Sequence, residues 1–197
     1  TGNVVVRVGA EPVLVDVDRR TYNIDPVEVD AAVTEDTAAL LPVSWGGQPL
    51  DAGPIREIAE EHDLAVVEDA ACAAGAAYDG EHVGSQFDAS AFSFHPRKVL
   101  TTGEGGMVTT EDPDITDEMR QIKNFGTNPK TDVGFVRADA TNYRLSDVLA
   151  AIGVAQLEKR KMIIERRREL AARYTELLED IEGVDPPIEP KTAKHTY

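Results

Sequence analysis

Lys98 stands between an apolar run and a glycine-rich turn: Ser93-Phe94-His95-Pro96-Arg97-Lys98 is followed by Thr101-Thr102-Gly103-Glu104-Gly105-Gly106. Such a setting keeps the amine close to the backbone. About thirty residues upstream, Glu68-Asp69-Ala70-Ala71 ends another apolar run. An amine can form an imine with an aldehyde, and a carboxylate can keep a pyridine nitrogen protonated so that the ring accepts electrons. One of each is what pyridoxal phosphate (PLP) chemistry requires. Each residue also has a plainer use, since a loop lysine is ordinarily a solvated charge and Asp69 also suits a helix N-cap. The neighbours of Lys98 and its distance from Asp69 favour the cofactor reading.

The elements that would position these two groups follow from the apolar pattern. Val13-Leu14-Val15, Ala38 to Val43 and Leu64 to Val67 are short apolar runs suited to strands buried on both faces. Between them, Pro26 to Val33, introduced by Asp25, and Pro54 to Glu61 read as helices, with proline near each start. Ala89 to Phe94 and Gly106 to Thr110 read as two more strands flanking the Lys98 loop. The alternation predicts an α/β fold with a mostly parallel, mixed sheet flanked by helices. Ligands of such sheets collect beyond strand ends, where Asp69 and Lys98 both fall. A short helix is expected from Pro113 to about Lys123, then a loop from Asn124 to Asn142. Ser146 is a candidate N-cap, with Asp147 in the first turn. Helical spacing continues to about Ile181, long enough to predict two segments or a kinked rod, with Gly153 marking a bend.

Thirty-six acidic against twenty basic residues give a net charge of −16. That excess repels nucleic acid and anionic membranes, and it suits either a salt-adapted protein or an ordinary acidic cytosolic enzyme. The basic cluster Lys159 to Arg168 is interleaved with glutamates at helical spacing and reads as a solvated helix face. No apolar stretch approaches the roughly 18 residues that span a membrane. The expectation is a soluble, cytoplasmic protein bound to neither membrane nor nucleic acid. Cys72 is the single cysteine among 197 residues, which rules out an intrachain disulfide within this sequence. It suits a small packing residue better than a nucleophile. His62, His82, His95 and His195 show no metal-ligand spacing, so no metal is expected.

The run Val67-Glu68-Asp69-Ala70-Ala71, the Ser93 to Lys98 segment with Gly103-Glu104-Gly105-Gly106, and Asn142-Tyr143-Arg144-Leu145-Ser146-Asp147 occur in an order that resembles the DegT/DnrJ/EryC1/StrS family. Gly9 to Val13, Val15-Asp16-Val17, Pro42-Val43 and Gly47-Gln48-Pro49 extend the likeness across essentially the whole chain. The resemblance implies a fold-type-I PLP aminotransferase, aspartate aminotransferase-like in its large domain. Its amino donor would be glutamate or glutamine and its acceptor a nucleotide-linked keto sugar. Lys98 matches the imine-forming lysine, Asp69 the partner of the pyridine nitrogen, and Ser93 a serine that binds the cofactor phosphate. Asn142 matches an asparagine that reaches that phosphate from a neighbouring subunit, which implies a homodimer. Ser93 also suits a strand end, and Asn142 a turn or cap. Cys72 stands where the family commonly has a glutamine in contact with the cofactor ring oxygen, and Ala74 where a histidine is frequent.

By the same likeness, residues 1–182 would form a large PLP-binding domain whose N-terminal part, including a glycine-serine phosphate-binding segment, precedes this sequence. Residues 183–197, with three prolines between Gly183 and Pro190, would be a linker and the start of a missing C-terminal small domain. Two alternatives accompany this reading. One is a sugar dehydratase of the same family, against which Lys98 argues where histidine replaces the lysine. The other is a non-catalytic regulatory or cofactor-binding protein on the same fold, which retention of Asp69 and Lys98 disfavours.

Overall fold

Local signals set most element starts. In the computed structural model, which describes residues 1–128, 130, 134 and 137–197, helix α2 (Pro26–Ala32) begins as expected, with the Asp25 carboxylate accepting from the Val27 amide. Helix α3 (Ala52–His62) starts two residues ahead of Pro54, and Asp63 closes it in the left-handed conformation. Part of the expected 124–142 loop, namely residues 129, 131–133, 135 and 136, lies outside the described residues.

The main sheet has the order β1 (Ala39–Leu40), β2 (Ala65–Asp69), β5 (Ala89–Ser93), β6 (Gly106–Thr109). The first three strands run parallel and β6 is antiparallel to β5, so the sheet is mixed and mostly parallel, with helices against it. Strand β1 is shorter than the apolar run from Ala38 to Val43. Pro42 has no N–H to give to the ladder, and pairing resumes only as a single parallel bridge between Val43 and Asp69. The expected strand at Val13-Leu14-Val15 does not form. Val13 and Leu14 are 73% and 87% exposed, and an apolar run without a neighbouring ladder is not enough to fix a strand. A second sheet joins β3 (Ala77–Tyr78) to β4 (Glu81–His82) through an Asp79-Gly80 turn with both φ angles positive, the backbone that matches hairpin twist. Strand β7 (Ala193–Lys194) pairs with β3 on its other side, which brings the chain's last residues onto the same body.

Core packing lies on the α2–α3 side of the sheet, where Val29, Ile55, Ile58, Ala59 and Val66 cluster. Two short helices extend the frame: α1 (Gly2–Arg7), unforeseen and without a buried residue, and α4 (Pro113–Ile122), capped by Asp112. Helix α5 (Asp147–Leu178) is one continuous helix of 32 residues, capped by Ser146 as expected, instead of two segments. Gly153 lies inside it without ending it: a Cβ there would stand 3.1 Å from Thr102 Cγ2, so the glycine permits close approach to the Lys98 loop. Ile164 packs with Val99 and Leu100 of that loop.

Candidate active site

Strand β2 alternates by residue, as a strand must. Val66 and Glu68 are buried on one face, while Val67 and Asp69 turn to the other. The backbone of Asp69 is held from the β1 side: its amide donates to the Pro42 carbonyl at 2.8 Å, and its carbonyl accepts from the Ser44 amide at 3.0 Å. From the β5 side, the Ala70 amide donates to the Ala91 carbonyl at 2.9 Å. Asp69 and Ala91 are register partners, so Ser93, two residues further along β5, shares the face on which Asp69 lies. The Asp69 carboxylate accepts from the Ala71 amide at 3.1 Å and from the Thr1 hydroxyl at 2.5 Å.

Behind Asp69, three alanines set the next turn. Ala70, Ala73 and Ala76 are fully buried, and the Ala73 and Ala76 amides donate to the carbonyls of Ala70 and Ala73. Burying every third residue leaves Cys72 half-buried on the opposite side. The Lys98 loop comes to meet it. This loop is closed at its base by Phe94, whose amide donates to Gly105 and whose carbonyl accepts from Thr102. It is tightened at its tip by the Lys98 amide donating to His95 at 2.9 Å. With Val99 and Leu100 anchored beneath α5, the Lys98 amine donates to the Cys72 sulfur at 3.1 Å. Its partner is a thiol sulfur instead of a carboxylate.

Lys98 and Cys72 therefore touch, Asp69 begins the turn that carries Cys72, and Ser93 lies on the same sheet face. The Ser93 hydroxyl accepts from the His95 amide at 3.3 Å. Asn142 is placed apart from them. It is exposed, its side-chain oxygen accepts from the Arg144 amide and Nε at 3.3 and 3.2 Å, and its backbone bridges Asn124. A cleft of about 1110 Å³ lies elsewhere, between the Asp18–Pro26 segment and residues 186–193, and none of the five lines it.

These residues fit PLP on chemical grounds. The half-buried amine lies beyond one strand end, and the carboxylate closes the neighbouring one with its backbone fixed from both sides. Gly105, at φ +151°, has no room for a Cβ, which would lie 2.7 Å from the Thr102 hydroxyl and 2.9 Å from Leu145. The loop is thus folded tightly against the segment that follows Asn142.

The family model of the DegT/DnrJ/EryC1/StrS aminotransferases matches residues 1–197. The chain belongs to this family. It is 40% identical over 198 residues to GDP-perosamine synthase of Caulobacter vibrioides, covering 100% of this chain and 53% of that protein. Among solved structures, the family aminotransferase from Brucella abortus superposes with a TM-score of 0.94 at 33% identity, covering 100% of this chain and 54% of that one. DesI, solved in the presence of its TDP-sugar product, gives 0.84 at 39% identity, covering 93% and 46%. The chain spans about half the length of the curated relatives it matches.

Glu68 is a site neighbour that the motif reading passed over. It is fully buried, and its two oxygens accept from the Ser44 and Ser90 hydroxyls at 2.6 and 2.8 Å. Burial raises its pKa, against the pull of the two serines. The available signal was the strand period, which puts Glu68 on the face of Val66 and opposite Asp69.

Proposed function

We propose that this chain is the large-domain part of a PLP-dependent aminotransferase that passes an amino group from glutamate or glutamine to the keto group of a nucleotide-linked sugar. The observation that carries it is the meeting of Lys98 with the turn that leaves Asp69, at the ends of two neighbouring strands. The sugar class rests on the relatives, one of which is named for a GDP-sugar and another solved with a TDP-sugar product. In this reading residues 1–182 belong to the large domain and 183–197 lead toward a small one. The working form is a cytoplasmic homodimer, and no helix of the described residues is long and apolar enough to cross a membrane.

When bound, PLP supplies an aldehyde and an electron-accepting ring. Lys98 is the nucleophile toward that aldehyde. With PLP bound, the Lys98 amine would be the group placed to take a proton from the donor α-carbon and to give it back. Asp69 holds a proton on the ring nitrogen, which stabilises the charge that develops in the transition state. Ser93 and, from a neighbouring subunit, Asn142 would hold the phosphate, and Cys72 occupies the position where the family commonly has glutamine.

The test is to mix the full-length protein with PLP and glutamate and follow by absorbance the conversion of the cofactor from its aldehyde to its amine form. Conversion is expected, followed by its reversal with a nucleotide-linked keto sugar. Bound cofactor that never converts would favour the dehydratase or the non-catalytic alternative.

A further inference from the structure

The contact between Cys72 and Lys98 has a chemistry of its own. Within these 197 residues Cys72 has no second thiol, so its oxidised form cannot be resolved as an intrachain disulfide of this sequence. The nitrogen in contact with its sulfur is Lys98 Nζ, at 3.1 Å. Both backbones are fixed, Cys72 by the buried alanine turn and Lys98 by the bonds at the base and tip of its loop. Holding two reactive groups in contact makes their reaction effectively unimolecular. Cys72 is only half-buried, and hydrogen peroxide is small.

We propose that Cys72 and Lys98 form a redox pair, in which peroxide oxidation of the thiol leads to a reversible covalent S–N link between the two side chains. In the first step the thiol sulfur attacks one oxygen of hydrogen peroxide. The O–O bond breaks, the sulfur is oxidised to a sulfenic acid, the peroxide is reduced, and one water leaves. In the second step the unprotonated Lys98 amine attacks the sulfenic sulfur. An N–S bond forms, the S–OH bond breaks, and the hydroxide leaves as a second water with a proton from the amine. This step involves no net redox change. The flexible four-carbon stem of lysine closes the remaining gap by rotation. A thiol reductant reverses the link: one thiolate attacks the sulfur and frees the amine, a second releases Cys72, and the reductant is oxidised to its disulfide. Where Lys98 serves as the imine-forming residue, the link removes that amine. This consequence rests on the proposed function, but the link itself does not.

The experiment treats the full-length protein, free of PLP, with a small excess of hydrogen peroxide and reads its intact mass and peptide map. The expected product is lighter by two hydrogen atoms, contains a cross-linked peptide joining Cys72 to Lys98, returns to its starting mass with dithiothreitol, and is absent from Cys72→Ser and Lys98→Arg. In Lys98→Arg the sulfenic acid should persist and be trapped by dimedone. Dimedone-trappable sulfenic acid at Cys72 of the unsubstituted protein, or its advance to sulfinic acid without loss of two hydrogens, would overturn the pair. Saturating PLP beforehand should suppress the link. A link that forms equally in its presence supports the pair and counts against the cofactor reading.

Discussion

Asp69 and Asn142 both belong to the candidate site, yet the chain treats them in opposite ways. Around Asp69, backbone bonds arrive from β1 and from β5, and the Lys98 loop opposite is closed at base and tip. Asn142 sits on an exposed segment that leads into α5, a helix in which only Ile164 is buried. The backbone of the strand-end group is finished by bonds within this chain. Asn142 itself faces outward, although Leu145, three residues on, packs against Gly105.

Removing the amine tests the finished region most severely. Lys98→Ala should abolish the borohydride-trappable PLP adduct in the full-length protein, as read by intact mass. An adduct at normal yield would move the imine elsewhere. Asp69→Asn should still bind PLP but lose at least about a hundredfold in turnover, the order expected when one electrostatic stabiliser is removed. Near-normal turnover would show that another group holds the ring proton.

The joint between the two regions is the C-terminal segment, where Arg168 of α5 pairs with Glu189 and donates to the His195 carbonyl. Burial lowers the His195 pKa to about 4, against the pull of Glu189. Its Nδ1 accepts from the Tyr197 amide at 2.7 Å, a bond that protonation would break. The unfolded state therefore binds the proton more readily than the native one, and this part of the stability is complete above pH 6.5 and lost as pH falls toward about 4. The loss should be on the order of 3 kcal/mol, measured by urea unfolding, and His195→Gln should remove it. Glu68, raised by burial, contributes in the opposite direction, so the comparison with the variant isolates the imidazole.

On the outward arm, Asn142→Ala should weaken PLP binding by about tenfold if the proposed dimer carries Asn142 to the phosphate, the worth of one hydrogen bond to a charged group. An equal loss in a monomeric form would show that Asn142 acts within its own chain. The smallest effect concerns the net charge of −16. If it reflects salt adaptation, the melting temperature should rise through molar potassium chloride as carboxylate repulsion is screened, by about 1 kcal/mol of stability or less. A flat or falling profile would remove that idea.

What the sequence made legible was local. The caps at Asp25 and Ser146, the strands on either side of the Lys98 loop and the helix after Asp112 are all specified by a few adjacent residues, and they lie where those residues place them. Asp69 could be named because it ends an apolar run, and Lys98 because it stands between a strand and a glycine-rich turn. Features that depend on a distant neighbour were out of reach. Val13-Leu14-Val15 has the continuous apolar run of a buried strand but no ladder to join, and Gly153 reads as a bend until Thr102 is seen beside it. The burial of Glu68 needed Ser44 and Ser90 on flanking segments, and the contact of Cys72 with Lys98 joins residues that no local pattern relates.

Gly75 gives α5 a mechanical character. With φ at +95° and a would-be Cβ only 2.5 Å from Ile164 Cδ1, it leaves a notch into which one side chain of the long helix is keyed. The same isoleucine bears on Val99 and Leu100, so a single pivot rests at once on the turn behind Cys72 and on the loop of Lys98. The helix of 32 residues, about 48 Å long at 1.5 Å per residue, crosses that contact near its middle and meets the Lys98 loop a second time where Gly153 faces Thr102. Shortening Ile164 would therefore loosen the packing behind the thiol and beneath the amine at once.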